Sequence, residues 1–189
     1  MKSRTLTASL SLSILFLASC SGPKGKEKQL ERIGELEERV DSISSEGKLP
    51  KKKMRKLMAE YKSYANQFPK DSLAPHQLLR AGGVARSLKE PQRAINIYRQ
   101  ILNEYPDFSK EPTVRFLLAF VYDRDLKKKK KARSLYQTVI DSFPEHKLAR
   151  DAEQYLKVMG LSDKELIERF EKKRKKRDST RSDSAEKAS

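Results

Sequence analysis

The sequence predicts an all-α protein, a short α-solenoid of about three helical hairpins, and three observations carry that expectation. Aromatic–proline dipeptides recur at Phe68-Pro69, Tyr105-Pro106 and Phe143-Pro144, spaced 37 and 38 residues apart. Each closes a segment of one pattern: Leu57-x3-Tyr61-x2-Tyr64, Ala94-x3-Tyr98-x2-Ile101 and Ala132-x3-Tyr136-x2-Val139. Residues four apart share a helix face, and a residue before proline is steered out of the helical region, so each dipeptide ends a helix. Glycine and proline are few, 7 and 8 in 189 residues, and 36% of residues are charged, which suits helices. One helical pair cannot cover its own apolar side, so units of this period stack.

In chain order, a targeting segment comes first. Lys2 and Arg4 precede an apolar stretch from Leu6 to Ala18, which closes on Leu17-Ala18-Ser19-Cys20. This is the layout of a secretory signal, too short to remain in a bilayer as a spanning helix. Cys20 is the only cysteine, which excludes disulfides and thiol metal sites; His76 and His146 lack metal-ligand spacing. The residues Leu-Ala-Ser-Cys resemble the lipobox of bacterial lipoproteins. That resemblance implies removal of residues 1–19, a diacylglycerol on the Cys20 thiol and an acyl chain on its new amino group. Ser21 in the next position implies the outer membrane, and the periplasmic face is the expected location. A thiolate is the nucleophile such a transfer needs, and the small Ala18 and Ser19 leave room for a peptidase.

Residues 20–28, rich in Gly, Pro, Lys and Ser, read as a flexible tether. Residues 29–46 form an amphipathic or coiled-coil helix, with Ile33, Leu36, Val40 and Ile43 at a/d spacing, ended by Gly47 and Pro50. That stripe suits either packing on the chain's own domain or weak homo-oligomerisation through residues 29–43. The repeat domain is expected over 51–177. Helices Met54 to Phe68, Gln92 to Tyr105 and Lys131 to Phe143 alternate with Ala74 to Leu88, Glu111 to Arg124 and Leu148 to Met159. Pro75, Pro91 and Pro112 fall in first turns, where proline is tolerated. Ser162 to Lys175 suits a capping helix: Ser162 and Glu165 form a capping box, and Leu166, Ile167 and Phe170 an apolar stripe directed to the core. Residues 178–189 are expected to be a disordered tail.

These residues resemble the tetratricopeptide repeat family. Ala94, Tyr98, Ile101 and Pro106, and again Ala132, Tyr136, Val139 and Pro144, match its second-helix positions. Leu78, Ala81, Gly82 and Ala85 match its first helix, followed by Leu118, Ala119 and Tyr122. No tryptophan occurs, and each unit has about three extra residues, expected in loops. The resemblance implies a concave face that receives peptides or proteins, lined here by Leu79, Gly83 and Arg86 and then by Phe116, Phe120 and Asp123. A lipobox followed by such repeats looks like the lipoprotein subunit of the outer-membrane β-barrel assembly machinery. A coiled coil before repeats is instead similar to the coordinator that accompanies the Tol–Pal system.

Phosphate loops, His-Glu zinc helices and Gly-x-Ser-x-Gly elbows are missing from the sequence, so no enzyme and no cofactor beyond the covalent lipid are expected. Gly82-Gly83 reads as close helix packing, and Asp123 and Asp125 as capping residues rather than an acid–base pair. The formal charge of +16 concentrates in Lys51–Lys53, Lys127–Lys131 and Lys172–Arg177. Such runs are solvated helix ends or attract anionic lipid or another envelope polyanion. They contain no aromatics on which bases stack, which argues against nucleic acid. The expectation is a membrane-anchored adaptor for envelope proteins or peptides in cell-envelope assembly. The alternatives are an electrostatic tether to anionic lipid or cell-wall polymer, and a noncatalytic subunit of an envelope enzyme.

Overall fold

Helices follow one another and each packs on the next: α1 (Pro23–Ser45), α2 (Lys51–Gln67), α3 (Ala74–Ser87), α4 (Pro91–Glu104), α5 (Glu111–Phe120), α6 (Lys129–Ser142) and α7 (Lys147–Val158). This computed structural model describes residues 23–161, 167–168, 171–172 and 174–175. Cys20, the signal segment 1–19 and the tail 178–189 lie outside the described residues, as do Ser162, Glu165, Leu166 and Phe170. The hairpins α1/α2, α3/α4 and α5/α6 stack as an all-α solenoid, with α7 lying against α5 and α6.

The second helices end alike. Phe68, Tyr105 and Phe143 have φ from −127° to −138° and ψ from 55° to 65°. Each of their N–H groups donates to the carbonyl four residues back, on Tyr64, Ile101 or Val139. The proline that follows excludes the helical conformation, so the backbone stops there. Pro75, Pro91 and Pro112 sit in the first turns of α3, α4 and α5, where no intrahelical N–H is lost.

Three features depart from the sequence expectation. α1 starts at Pro23, so residues 23–28 of the expected tether are helix. It is also the first helix of the first hairpin: Ile33, Leu36 and Val40 are 3%, 8% and 9% exposed and join the common core. Three of the four residues of the stripe that suited self-association are thus covered by the chain itself, Ile43 keeping partial exposure, and Tyr61 Oη of α2 donates to Glu37 Oε1 at 2.5 Å. Second, α5 continues into a π-helical turn, Val121–Asp125, where the Leu126 N–H donates to Val121 O at 3.1 Å, five residues back. α3 has 14 residues, whereas α5 with its 10 and the π turn with its 5 hold one more. That residue is the difference between the spacings of 38 and 37, and it sits in a helix, not a loop. Third, Ile167 is helical but 58% exposed, so it contributes no core stripe. The last element of a stack has no neighbour on its outer side.

Tyr64, Tyr98 and Tyr136, one per second helix, are fully buried. The Tyr98 ring lies where Gly82 of α3 would carry a β-carbon, with ring atoms 2.2 and 2.8 Å from that position. Gly83 faces open space. Gly82→Ala is therefore expected to cost about 1–3 kcal/mol by overpacking. Gly83→Ala is expected to gain roughly 0.5–1 kcal/mol from helix propensity. Urea denaturation of the two variants checks both signs.

Burial pushes the Tyr98 phenol up to about 12 from its ordinary 10. Tyr61 and Tyr136 are raised as well, burial being the largest cause in both. An unfolded chain ionises these groups near their ordinary value and the folded chain later, so the folded state holds more protons in between. Stability is expected to be intact below about pH 10 and to fall as pH rises toward about 12. Tyr98→Phe should flatten that decline in unfolding free energy measured against pH.

Candidate functional site

The first helices α3, α5 and α7 carry the candidate face. Leu79, Gly83 and Arg86 follow one another at helical spacing on α3; Leu79 is half-buried against the core and Gly83 is exposed. Arg86 reaches across to the next unit. Its guanidinium carbon lies 4.5 Å from the Phe120 ring centroid, and its Nε donates to Asp125 Oδ2 at 3.2 Å. The Asp125 carboxylate stands in the π turn, so the extra residue of α5 is part of the segment that meets Arg86.

Phe116 and Phe120 are half-buried and belong to an aromatic cluster. Phe116 meets Tyr136 edge-on at 5.4 Å and Tyr155 at 5.7 Å, Phe120 meets Tyr155 at 5.7 Å, and Tyr136 stacks on Tyr155 at 5.3 Å. The rings join α5, α6 and α7. Each phenylalanine has one side committed to this packing and keeps partial exposure. Asp123 is only 9% exposed, so the structure places it beneath the face rather than on it. The structure thus brings Arg86, Phe116 and Phe120 together and leaves Leu79 and Gly83 along the same helix.

Two participants were missed by sequence reasoning. Tyr155 touches both phenylalanines; its signal was the spacing Ala149-x2-Ala152-x2-Tyr155, with both alanines buried in α7. Asp125, a capping residue by its sequence position, has Arg86 as an ion-pair partner in the structure. Its neighbour Tyr122 accepts from Arg99 Nη2 at 3.0 Å and lies under Lys131 Nζ at 4.7 Å. Both histidines have structural surroundings. His146 Nδ1 accepts the Leu148 N–H at 3.2 Å and caps α7, and His76 lies edge-on to Phe108 at 4.8 Å. Burial lowers the His76 pKa, with Lys110 and Arg80 adding to the shift.

Among the described residues no three His, Cys, Asp or Glu side chains gather as a metal site. No described helix is long and apolar enough to cross a membrane. The face itself presents aromatic edges beside a guanidinium whose charge is offset by Asp125.

Residues 78–107 and 113–146 match the tetratricopeptide repeat family model. The first match runs from α3 to the turn after α4, and the second from α5 to the turn after α6. The solenoid is thus tetratricopeptide-like. No curated protein matches the chain. Tetratricopeptide repeats bind proteins and peptides and are generally noncatalytic scaffolds.

Aromatic pairs contribute about 0.5–1.5 kcal/mol each beyond buried area. Tyr155→Leu removes three ring contacts and is expected to cost about 1–3 kcal/mol. Phe120→Leu removes one ring contact and the Arg86 stack and should cost less than Tyr155→Leu. Urea denaturation of both ranks them.

Proposed function

We propose that this protein is a noncatalytic adaptor that holds a peptide or protein segment on the α3–α5–α7 face. The observation that carries the reading is the group formed by Arg86, Phe116, Phe120 and Tyr155, joined from two repeats and α7 and still partly exposed. Aromatic and arginine side chains held rigid by their neighbours make effective contact residues, because little rotamer freedom remains to be lost on binding. In this reading Cys20 carries a diacylglycerol and an N-acyl chain, residues 1–19 are removed, and the repeats hang from the periplasmic face of the outer membrane. Buried methylenes at about 0.8 kcal/mol each make two or more acyl chains a stable anchor. The partners are envelope proteins or peptides, and the context is cell-envelope assembly. Because α1 packs as a repeat helix, the likeness to the β-barrel assembly lipoprotein is favoured over that to the Tol–Pal coordinator, which leaned on free heptads.

Two measurements test this together. Mass spectrometry of the mature N-terminus should find the lipid on Cys20, and Cys20→Ala should lose both lipid and membrane fractionation. A lipid-preserving pull-down should capture an envelope protein, with recovery reduced at least about tenfold by Arg86→Ala combined with Phe120→Ala. Recovery of no envelope protein, or equal recovery by that variant, would overturn the adaptor reading.

A further inference from the structure

The fold sorts the charge of the inter-helix turns by edge. Turns that join the two helices of a hairpin line up along that edge, tied by Arg55 to Glu90 at 3.0 Å and by Arg86 to Asp125 at 3.2 Å. Turns that join one hairpin to the next line the opposite edge, where Lys26 pairs with Asp71 and His76 meets Phe108. On the first edge, residues 46–53, 86–93 and 124–131 hold 13 Lys and Arg against 3 acids. On the second, residues 67–74, 104–111 and 140–147 hold 3 Lys and 6 acids. All three acids of the basic edge are already paired: Glu46 with Lys48, Glu90 with Arg55 and Arg93, Asp125 with Arg86.

Nine lysines remain there, Lys51–Lys53, Lys89 and Lys127–Lys131, all exposed and with no ion pair among the described residues. Local energetics does not explain their positions. α2 opens on Lys51–Lys53 and α6 on Lys129–Lys131, with no acid in either first turn. Cations at that end oppose the helix macrodipole. Lys89 and Lys127 hold left-handed backbone, φ 61° and 55°, at the position two residues past a helix end where Gly47 stands after α1 and Gly160 after α7. A side chain there costs about 1–2 kcal/mol relative to glycine. The fold alone would be better served by acids at the first two places and glycine at the others.

We infer that this edge is a docking surface for an extended anionic polymer other than a nucleic acid, one bearing phosphate or carboxylate groups along its length and no bases that would need aromatic partners. A row of exposed ammonium groups without carboxylate partners, one of them (Lys131) resting on the Tyr122 ring, matches repeated anionic groups by charge and demands little shape, and binding releases the polymer's counterions. Orientation favours a polymer over the anchoring bilayer. α1 runs 23 residues, about 34 Å, from the opposite edge to this one, and Cys20 lies three residues before its start. A chain anchored there points the basic edge away from the leaflet that holds it; this orientation rests on the lipid-anchor reading, whereas the polymer contact does not.

The test uses the full chain in uncharged detergent and fluorescently labelled polyphosphate, with affinity measured against salt. Binding should weaken steeply with salt, and Lys128→Glu/Lys129→Glu/Lys130→Glu should reduce affinity at least about tenfold. The control Lys70→Glu/Lys110→Glu/Lys147→Glu changes net charge equally on the other edge and should change affinity about twofold at most. Lys89→Gly/Lys127→Gly should melt no lower than the parent, because it relieves the left-handed strain, yet make the salt dependence shallower by about 1–2 in log–log slope. Equal losses in the two triple variants would overturn the inference, since net charge and not the edge would then govern. So would tighter binding to phosphatidylglycerol vesicles or to a single-stranded oligonucleotide than to polyphosphate. An unlipidated Cys20 would end the anchor reading and leave these binding outcomes unchanged.

Discussion

The Tyr98 ring occupies the space that a β-carbon on Gly82 would fill, and this close approach draws α4 onto α3 in the middle of the stack. Each second helix contributes one such fully buried tyrosine, at 64, 98 and 136. An aromatic side chain buries on the order of 150–250 Å², a large share of what a helix of 14 residues offers. Burial of this size needs a neighbour on both sides, because the apolar stripe of each helix is too wide for its hairpin partner alone. The tyrosines therefore make every hairpin depend on the next. Tyr136 shows the dependence directly, since its ring meets Phe116 of the preceding helix and Tyr155 of the following one.

That serial packing also separates two surfaces. Along the face of α3, α5 and α7, the same aromatic contacts that stabilise the stack leave Phe116, Phe120 and Arg86 partly exposed and held in place. Along the edge, the hairpin turns are brought into one row whether or not their sequences favour it, so lysine runs far apart in the chain become one charged strip. The opposite row is mildly acidic. A molecule built this way is electrically polar along its helix axes, from one row of turns to the other.

Much of the fold was legible in sequence because its determinants are local. The aromatic–proline dipeptides end helices by restricting one backbone angle pair, and all three aromatics adopt nearly the same conformation. The 3.6-residue periodicity marked Ala94, Tyr98 and Ile101 as buried, and all three are fully buried. Gly82 was legible as a packing glycine for the same reason: a helix tolerates glycine poorly unless something comes close. The candidate face was only half legible. Arg86, Phe116 and Phe120 stood out by residue type, but Asp123 stands buried in the π turn at the end of α5.

The amino-acid sequence by itself determined where the helices end, the period at which they recur and which face of each is apolar. These follow from backbone sterics and spacing within a few residues. Only the tertiary structure decided that α1 is a repeat helix rather than a free coiled coil, because heptad spacing is the same whether the covering helix is a neighbour or a second chain. It also decided that Tyr155 joins Phe116 and Phe120 from 39 and 35 residues away, and that Lys51–Lys53, Lys89 and Lys127–Lys131 share an edge. Those are facts of stacking geometry, which one-dimensional spacing does not contain.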